Sequence, residues 1–136
     1  MCIRLLRDEL ILKLLKPFIT LFLCLFSLYG CAQNKEANSL TVKELKKRIE
    51  NNDSTMVILD VRTDVELIGV LPQIEGALHI PIQELENRVD ELNRFRNKEI
   101  LVICRTQNRS SVGAEFLREK GYNAKNVIGG MREYYK

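Results

Sequence analysis

Residues 100–111 read ILVICRTQNRSS, and this stretch indicates the architecture of the chain more clearly than any other. Residues 100–103 are an unbroken apolar run, which is typical of a strand buried on both faces of a parallel sheet. Cys104 follows at the carboxyl end of that strand, and apolar side chains recur at helical spacing after Ser110. We therefore expect a strand, a short loop carrying one thiol, and a helix.

Predicted strands and helices alternate along the rest of the chain. Thr41 and Glu44 match a capping box, and apolar residues then recur at helical spacing, so a helix is expected to begin there. Such alternation is typical of an α/β fold in which helices cover both faces of a central parallel sheet. Further strands are predicted at residues 56–59, 77–80 and 126–128, further helices at residues 82–92 and 110–120 (ending at Gly121), and a helical turn at residues 131–135.

The first thirty residues differ in character from the rest. A basic segment reaches Lys16, and residues 18–29 are then mostly apolar, a run shorter than the roughly 20 residues that span a bilayer. This arrangement predicts an export signal at residues 1–30. Residues 28–31, LYGC, also resemble the lipobox of bacterial lipoproteins, which implies that Cys31 is lipidated and becomes the first residue after cleavage. An uncleaved anchor, or a secretory signal cut nearby, is the alternative.

Three parts are therefore predicted: the export signal, a polar tether at residues 31–39, and a folded domain at residues 40–136. The protein is expected to be exported and held by its N-terminal lipid on the periplasmic side of the bacterial cell envelope. The membrane is thus an expected partner, through that lipid alone.

The cysteines direct attention to one thiol. Cys2 and Cys24 would leave with the signal and Cys31 would carry lipid, so Cys104 alone would remain unpaired. A free thiol in an exported protein is prone to oxidation and mispairing. Its retention therefore indicates a function.

The overall charge and composition exclude one class of partner. The formal net charge is +3, and the residues beyond position 30 carry 17 basic and 16 acidic side chains. Nucleic acid binding requires a clustered basic face, so nucleic acid is not an expected partner. The content of 46% hydrophobic and 29% charged residues is ordinary for one globular domain. A monomer is expected.

Cys104 stands where α/β sheets bind ligands, at the carboxyl end of a strand and just before a helix. A free thiol is mostly protonated at neutral pH, whereas the thiolate is the nucleophile. Backbone N–H groups of a tight loop, together with the charges of Arg105 and Arg109, favour the anion. The sequence therefore predicts a thiolate nucleophile that needs no histidine base. A buried structural thiol is the alternative.

Residues 104–111, CRTQNRSS, resemble the active-site loop of the rhodanese family, commonly written CRxGxRS. Three further segments match family motifs in the same order: residues 57–62 (VILDVR, followed by Glu66), residues 74–81 (IEGALHIP) and residues 129–131 (GGM). The resemblance implies a single-domain, rhodanese-like α/β fold over residues 40–136, with a central parallel sheet and helices on both faces.

The resemblance also implies an activity. A sulfurtransferase of this family takes sulfane sulfur from a small donor such as thiosulfate or a persulfide, holds it as a persulfide on Cys104, and passes it to a thiol or a cyanide-like acceptor. No cofactor and no metal are expected, because a single histidine, His79, argues against a metal site. The implied active loop comprises Arg105, Thr106, Gln107, Asn108, Arg109 and Ser110, with Asp60 and Arg62 as supporting residues.

Two other functions remain open. Phosphatases and arsenate reductases of the same architecture need arginine at position 110, where this chain has Ser110. The shorter loop, from Cys104 to Arg109, favours sulfur over phosphate. A rhodanese-fold module that binds a partner without turnover is the second alternative. Gln107 stands where the family commonly has glycine, so a loop that required positive φ there would be strained.

Overall fold

The structure is a computed structural model that describes residues 38–136. The predicted export signal, Cys31 and all but the end of the predicted tether lie outside the described residues. Asn38–Lys136 form one structural unit. Within this unit, none of the helices has both the length and the apolar character that a membrane span requires.

The described part of the chain is a parallel sheet with helices between its strands. The strands are β1 (Ser39–Thr41), β2 (Met56–Asp60), β3 (Leu78–His79), β4 (Glu99–Ile103) and β5 (Asn123–Ile128). The α-helices are α1 (Val42–Glu50), α2 (Asp64–Leu67), α3 (Leu85–Arg88), α4 (Asn108–Glu119) and α5 (Gly130–Tyr134), and a 3₁₀ helix (Val89–Phe95) follows α3. All neighbouring strands pair in parallel, in the order β1-β5-β4-β2-β3, which confirms the predicted α/β fold.

β4 lies at the centre of the sheet, and its side chains alternate between two hydrophobic cores. Ile100, Val102 and Cys104 belong to the core that includes α3 and α4. Leu101 and Ile103 belong to the core that includes α1 and α5. Because both faces of the strand are covered, the run is apolar without interruption, as the sequence predicted. The helices lie on both faces of the sheet.

Two predicted helix boundaries are confirmed in detail. The Thr41 hydroxyl accepts a hydrogen bond from the Glu44 backbone N–H at 3.3 Å, and the Glu44 carboxylate accepts one from the Thr41 N–H at 2.7 Å. This is the reciprocal capping box at the start of α1. Gly121 follows α4 with φ +82°, and its N–H donates to the carbonyl of Arg118 at 2.9 Å. Glycine ends a helix in this way because it tolerates the left-handed conformation.

Several elements differ from the prediction. β1 was not predicted, and Ser39, the last residue of the predicted tether, is its first residue. α2 was not predicted either, since four residues are too few to show a helical period. The helix predicted at residues 82–92 is shorter, because a turn closed by the Glu84 N–H and the Pro81 carbonyl delays its start and a 3₁₀ helix replaces its end.

The buried face of α4 also differs from the prediction. Helical spacing with Phe116 and Leu117 predicts that Val112 points inward, but the residue is 61% exposed. A Cβ atom on Gly113 would lie 3.2 Å from the Ile82 side chain and 3.4 Å from that of Leu85, so the helix packs closely here through small residues. Apolar periodicity does not detect such a face. Its buried members are Ser110, Gly113, Ala114 and Leu117, and Phe116 is partly buried.

Candidate active site

Cys104 directly follows β4 and begins the loop that leads into α4. The residue is only 1% exposed. Its sulfur lies 3.3 Å from the hydroxyl oxygen of Ser110, which is itself fully buried. The same hydroxyl lies 3.2 Å from the carbonyl oxygen of Gln107, so it can donate to either atom. When the thiol is ionised, the sulfur is the stronger acceptor of the two.

The Ser110 hydroxyl is the hydrogen-bonding partner of the Cys104 sulfur within residues 38–136. The loop passes into α4 already at Asn108, and the Ser111 N–H donates to the Gln107 carbonyl at 2.9 Å inside the helix. The role predicted for the loop amides around an anionic sulfur stays a prediction.

The rest of the predicted loop lies around this thiol. Arg105, Thr106, Gln107 and Asn108 are exposed, while Arg109 is half-buried. Gln107 has φ −164°, outside the left-handed region that favours glycine, so the loop does not require glycine at this position. The departure from the family motif therefore does not force Gln107 into a left-handed conformation.

The N-terminal end of α5 supports the active loop through two backbone hydrogen bonds. The Met131 N–H donates to the Cys104 carbonyl at 2.8 Å, and the Arg132 N–H donates to the Arg105 carbonyl at 3.0 Å. Gly130 has φ +58°, and a Cβ atom there would overlap the carbonyl oxygens of Cys104 and Thr106. Glycine is therefore required for α5 to approach the loop. From the sequence, Gly129 and Gly130 could be recognised as important only through the family resemblance.

Arg109 is paired with a residue that was not among the predicted site residues. Its two terminal nitrogens donate to the two carboxylate oxygens of Glu66 at 2.7 and 2.8 Å. These bonds lower the pKa of Glu66 to about 2, although burial opposes the shift. The pKa of Arg109 is raised, mainly by the hydrogen bonds to Glu66 and to a smaller extent by charge interactions with Cys104 and Asp60, although burial opposes the shift. The pair links the loop to α2 across 43 positions of sequence.

Asp60 and Arg62 form a buried ion pair at the carboxyl end of β2. The distance from Arg62 Nη2 to Asp60 Oδ2 is 2.7 Å, and both side chains are 1% exposed. Arg62 Nη1 also donates to the carbonyl oxygens of Leu71 at 2.7 Å and of Glu66 at 3.3 Å. Through Arg62, the pair therefore anchors the segment after α2. His79 hydrogen-bonds the Arg62 carbonyl through Nε2 at 2.8 Å.

A cavity of about 120 Å³ lies beside the loop, with Arg62, Glu66, Gly69, Val70, Leu71 and Arg105 as its lining. Cys104 is not part of the lining. The Arg105 side chain has no hydrogen-bonding or ionic partner among residues 38–136 and is available to an anion. Across the same residues, no three His, Cys, Asp or Glu side chains come together to hold a metal ion.

Comparisons with known proteins agree with this architecture. The model of the rhodanese-like domain family matches residues 41–136. The chain resembles the solved structure of a rhodanese-related protein from Thermoplasma volcanium, with a TM-score of 0.63 and 34% identity over 72% of this chain and 90% of that one. A rhodanese-like domain protein from Staphylococcus aureus gives a TM-score of 0.64 and 31% identity, over 71% of this chain and 90% of that one.

Two relatives from Bacillus subtilis connect the family to sulfur chemistry. YtwF, proposed to be a sulfurtransferase, is 34% identical over 97 residues, which are 71% of this chain and 88% of YtwF. YrkF, proposed to be a sulfur carrier protein, is 34% identical over 96 residues, which are 70% of this chain and 49% of YrkF. The chain thus spans most of one relative and about half of the other. At the level of the family, these relatives support rhodanese-type sulfur transfer.

Proposed function

The chain belongs to the rhodanese-like domain family, and we propose that it is a sulfurtransferase in which Cys104 carries the transferred sulfur as a persulfide. The Cys104 thiolate attacks the sulfane sulfur of a donor such as thiosulfate or a persulfide. A new S–S bond forms, the donor's S–S bond breaks, and its electron pair leaves with the sulfite or thiolate. A thiolate or cyanide acceptor then attacks the outer sulfur and restores the Cys104 thiolate.

The observation that carries this proposal is the position of Cys104. The thiol stands at the carboxyl end of β4, within 3.3 Å of the buried Ser110 hydroxyl and close enough to Arg109 for their charges to interact. The reaction depends on an anionic sulfur, and a hydroxyl donor and a guanidinium are groups that can accommodate one. Arg105, exposed and without a partner in residues 38–136, offers a positive charge to an anionic donor.

One observation favours a second candidate function. Cys104 is 1% exposed, as a structural thiol would be, and a protein that only binds a partner needs no access to it. If the protein is such a binding module, we expect a strain that carries Cys104→Ser to keep the phenotype of the unmutated strain. If the protein is an enzyme, we expect that strain to behave like one from which the gene is deleted.

The proposal is tested by measuring sulfurtransferase turnover in a fragment of residues 32–136. This fragment contains all of β1. Thiosulfate and polysulfide are supplied with dithiothreitol as the acceptor, and sulfide release is measured. We expect turnover by the wild-type fragment and none by Cys104→Ser. Sulfide release equal to that of buffer with every donor would contradict the proposal. An aryl phosphate assayed in parallel is expected to stay intact, because Ser110 stands where a phosphatase loop requires arginine.

We further propose that the chain is an exported lipoprotein anchored through Cys31, and that it acts as a monomer on small sulfur donors. The support is the basic and apolar pattern of residues 1–30 and the LYGC sequence at residues 28–31. Cells expressing Cys31→Ser are expected to lose the protein from the membrane fraction and to leave it unlabelled by radioactive palmitate. Equal membrane retention of wild-type and variant protein would overturn the assignment.

A further inference from the structure

Three large apolar side chains stand almost fully in solvent beside the candidate active site. Val65, Ile68 and Val70 are 77%, 87% and 94% exposed. All three lie within residues 65–70, and we call them the apolar rim. Single exposed apolar residues are ordinary, whereas a cluster of them marks a surface that contacts something other than water.

The apolar rim is fixed in place next to the active loop. The buried guanidinium of Arg62 donates to the carbonyl oxygens of Glu66 and Leu71, which flank the segment that carries Ile68 and Val70. The exposure of the rim is therefore a property of an anchored segment. Val70 also lines the cavity of about 120 Å³ together with Arg105, so the rim is continuous with the candidate active site.

The apolar rim extends beyond the cavity. A small ligand in the cavity would contact Val70, but Val65 and Ile68 are not part of the lining. Val65 and Ile68 lie three residues apart on and just after α2, so their side chains share one side of that turn. Only a partner larger than the cavity can cover all three side chains at once.

The charges beside the rim indicate what the partner carries. Arg105 and Arg132 are exposed, and in the part of the chain that the structure describes neither side chain has an acidic partner. They lie close together, because the Arg132 N–H donates to the Arg105 carbonyl. These free cations suit acidic groups on the partner. A lipid surface fits less well, because it would have to cover the Asp64 carboxylate, whose side chain is 85% exposed within the same segment.

We infer that the apolar rim, together with Arg105 and Arg132, is the docking surface for a protein sulfur acceptor whose cysteine is flanked by apolar and acidic residues. This inference rests on the proposed sulfurtransferase function and names the class of its acceptor. The acceptor thiolate attacks the outer sulfur of the Cys104 persulfide. The acceptor's new S–S bond forms as the Cys104 S–S bond breaks, and the electron pair returns to the Cys104 sulfur as the thiolate.

The test compares defined acceptors with the full chain in detergent, loaded with sulfur and checked by mass before use. The acceptors are dithiothreitol and three peptides that present one cysteine between leucine and glutamate, between serine and glutamate, or between leucine and lysine. We expect the leucine and glutamate peptide to exceed the other peptides in kcat/KM by roughly tenfold, as contact with a few apolar side chains and charges allows. Equal rates for the three peptides would overturn the inference.

Variants test whether the apolar rim causes the preference for the leucine and glutamate peptide. The double variant Val65→Ser, Ile68→Ser is expected to remove the preference for the leucine and glutamate peptide and to leave transfer to dithiothreitol unchanged, because neither residue lines the cavity. Val112→Ser, which alters a residue 61% exposed on α4, is the matched control and is expected to keep the preference. A preference that survives in the double variant would contradict docking at the rim.

Binding without transfer separates this inference from the proposed function. A fluorescent form of the same peptide, with serine in place of cysteine, is expected to bind the wild-type chain and to lose roughly tenfold in affinity for the double variant. If no persulfide forms but this binding difference remains, the sulfurtransferase proposal fails and the docking surface stands as that of a binding module. Undetectable peptide binding, or binding of phosphatidylglycerol vesicles that depends on Val65 and Ile68, would overturn the inference.

Discussion

The environment of Cys104 explains how one thiol can be both protected and reactive. The residue is nearly inaccessible, which limits its reaction with oxidants. The Ser110 hydroxyl lies 3.3 Å from the sulfur and can donate a hydrogen bond to it. The position of the thiol could be predicted from the sequence, because a buried strand of known direction delivers it to the carboxyl edge of the sheet. The family resemblance placed Ser110 in the active loop, but its contact with the sulfur could not be predicted, because a motif does not show which way a side chain turns.

Removing the Ser110 hydroxyl tests whether it assists the sulfur of Cys104. Ser110→Ala is expected to slow persulfide formation from thiosulfate by about tenfold, because a hydrogen bond to a charged sulfur is lost. Single-turnover kinetics followed by mass measure the rate. Ser111→Ala, which changes the exposed neighbouring hydroxyl, is the control and is expected to react as the wild type does. An unchanged rate in Ser110→Ala would show that the hydroxyl does not assist the sulfur.

At the scale of elements, the site depends on two contacts between segments distant in sequence. α5 supports the loop through Gly130 and the hydrogen bond from Met131 to the Cys104 carbonyl. α2 supports it through the bidentate pair of Glu66 with Arg109. The start of α1 could be predicted, because a capping box is local in sequence. The partners of Gly130 and Glu66 could not, because they follow from how the elements pack together.

Substitutions at two glycines separate the stability cost of positive φ from the stability cost of close contact. Gly130→Ala is expected to lower the free energy of unfolding by more than about 3 kcal/mol, because positive φ is combined with overlap of two carbonyl oxygens. Gly76→Ala also requires positive φ but meets no atom within 4 Å, so we expect a loss of about 1 kcal/mol. Urea unfolding of residues 32–136 measures both. Equal losses would show that the approach of α5 to the loop is not tight.

For the whole molecule, the sheet could be predicted from the alternation of strands and helices, but two of its features could not. β1 is a three-residue edge strand without an apolar pattern, although it pairs with β5 over Ser39–Thr41. The close packing of α4 depends on Gly113 and Ala114, which carry little apolar signal. Both features escape prediction for the same physical reason. Elements that are short, or that pack through small residues, are stabilised by contacts with the rest of the sheet more than by their own sequences.

The stability of the whole domain is expected to depend on pH through Glu66. Its pKa is lowered from 4.5 to about 2 by the hydrogen bonds from Arg109, so the folded state binds this proton less readily than the unfolded state. The stabilisation by this pair is therefore fully present above pH 4.5 and is lost as the pH falls toward 2. Glu66→Gln removes the titrating group and is expected to show a smaller loss of stability over that range.

Urea unfolding at a series of pH values measures this dependence. Glu86→Gln is the control, since Glu86 is exposed and makes no hydrogen bond or ion pair within residues 38–136. We expect the curve for this control to run parallel to that of the wild type. A Glu66→Gln variant that loses as much stability as the wild type between pH 4.5 and 2 would show that the pair with Arg109 does not stabilise the fold.

The central claim is that Cys104 accepts a single sulfur atom, and the intact mass of the protein after exposure to a donor tests it most directly. With thiosulfate, polysulfide or a small persulfide, the wild-type protein is expected to gain about 32 Da, the mass of one sulfur atom in a persulfide. The gain should disappear on addition of dithiothreitol and should be absent in Cys104→Ser. A wild-type mass that stays unchanged with all three donors would contradict the claim.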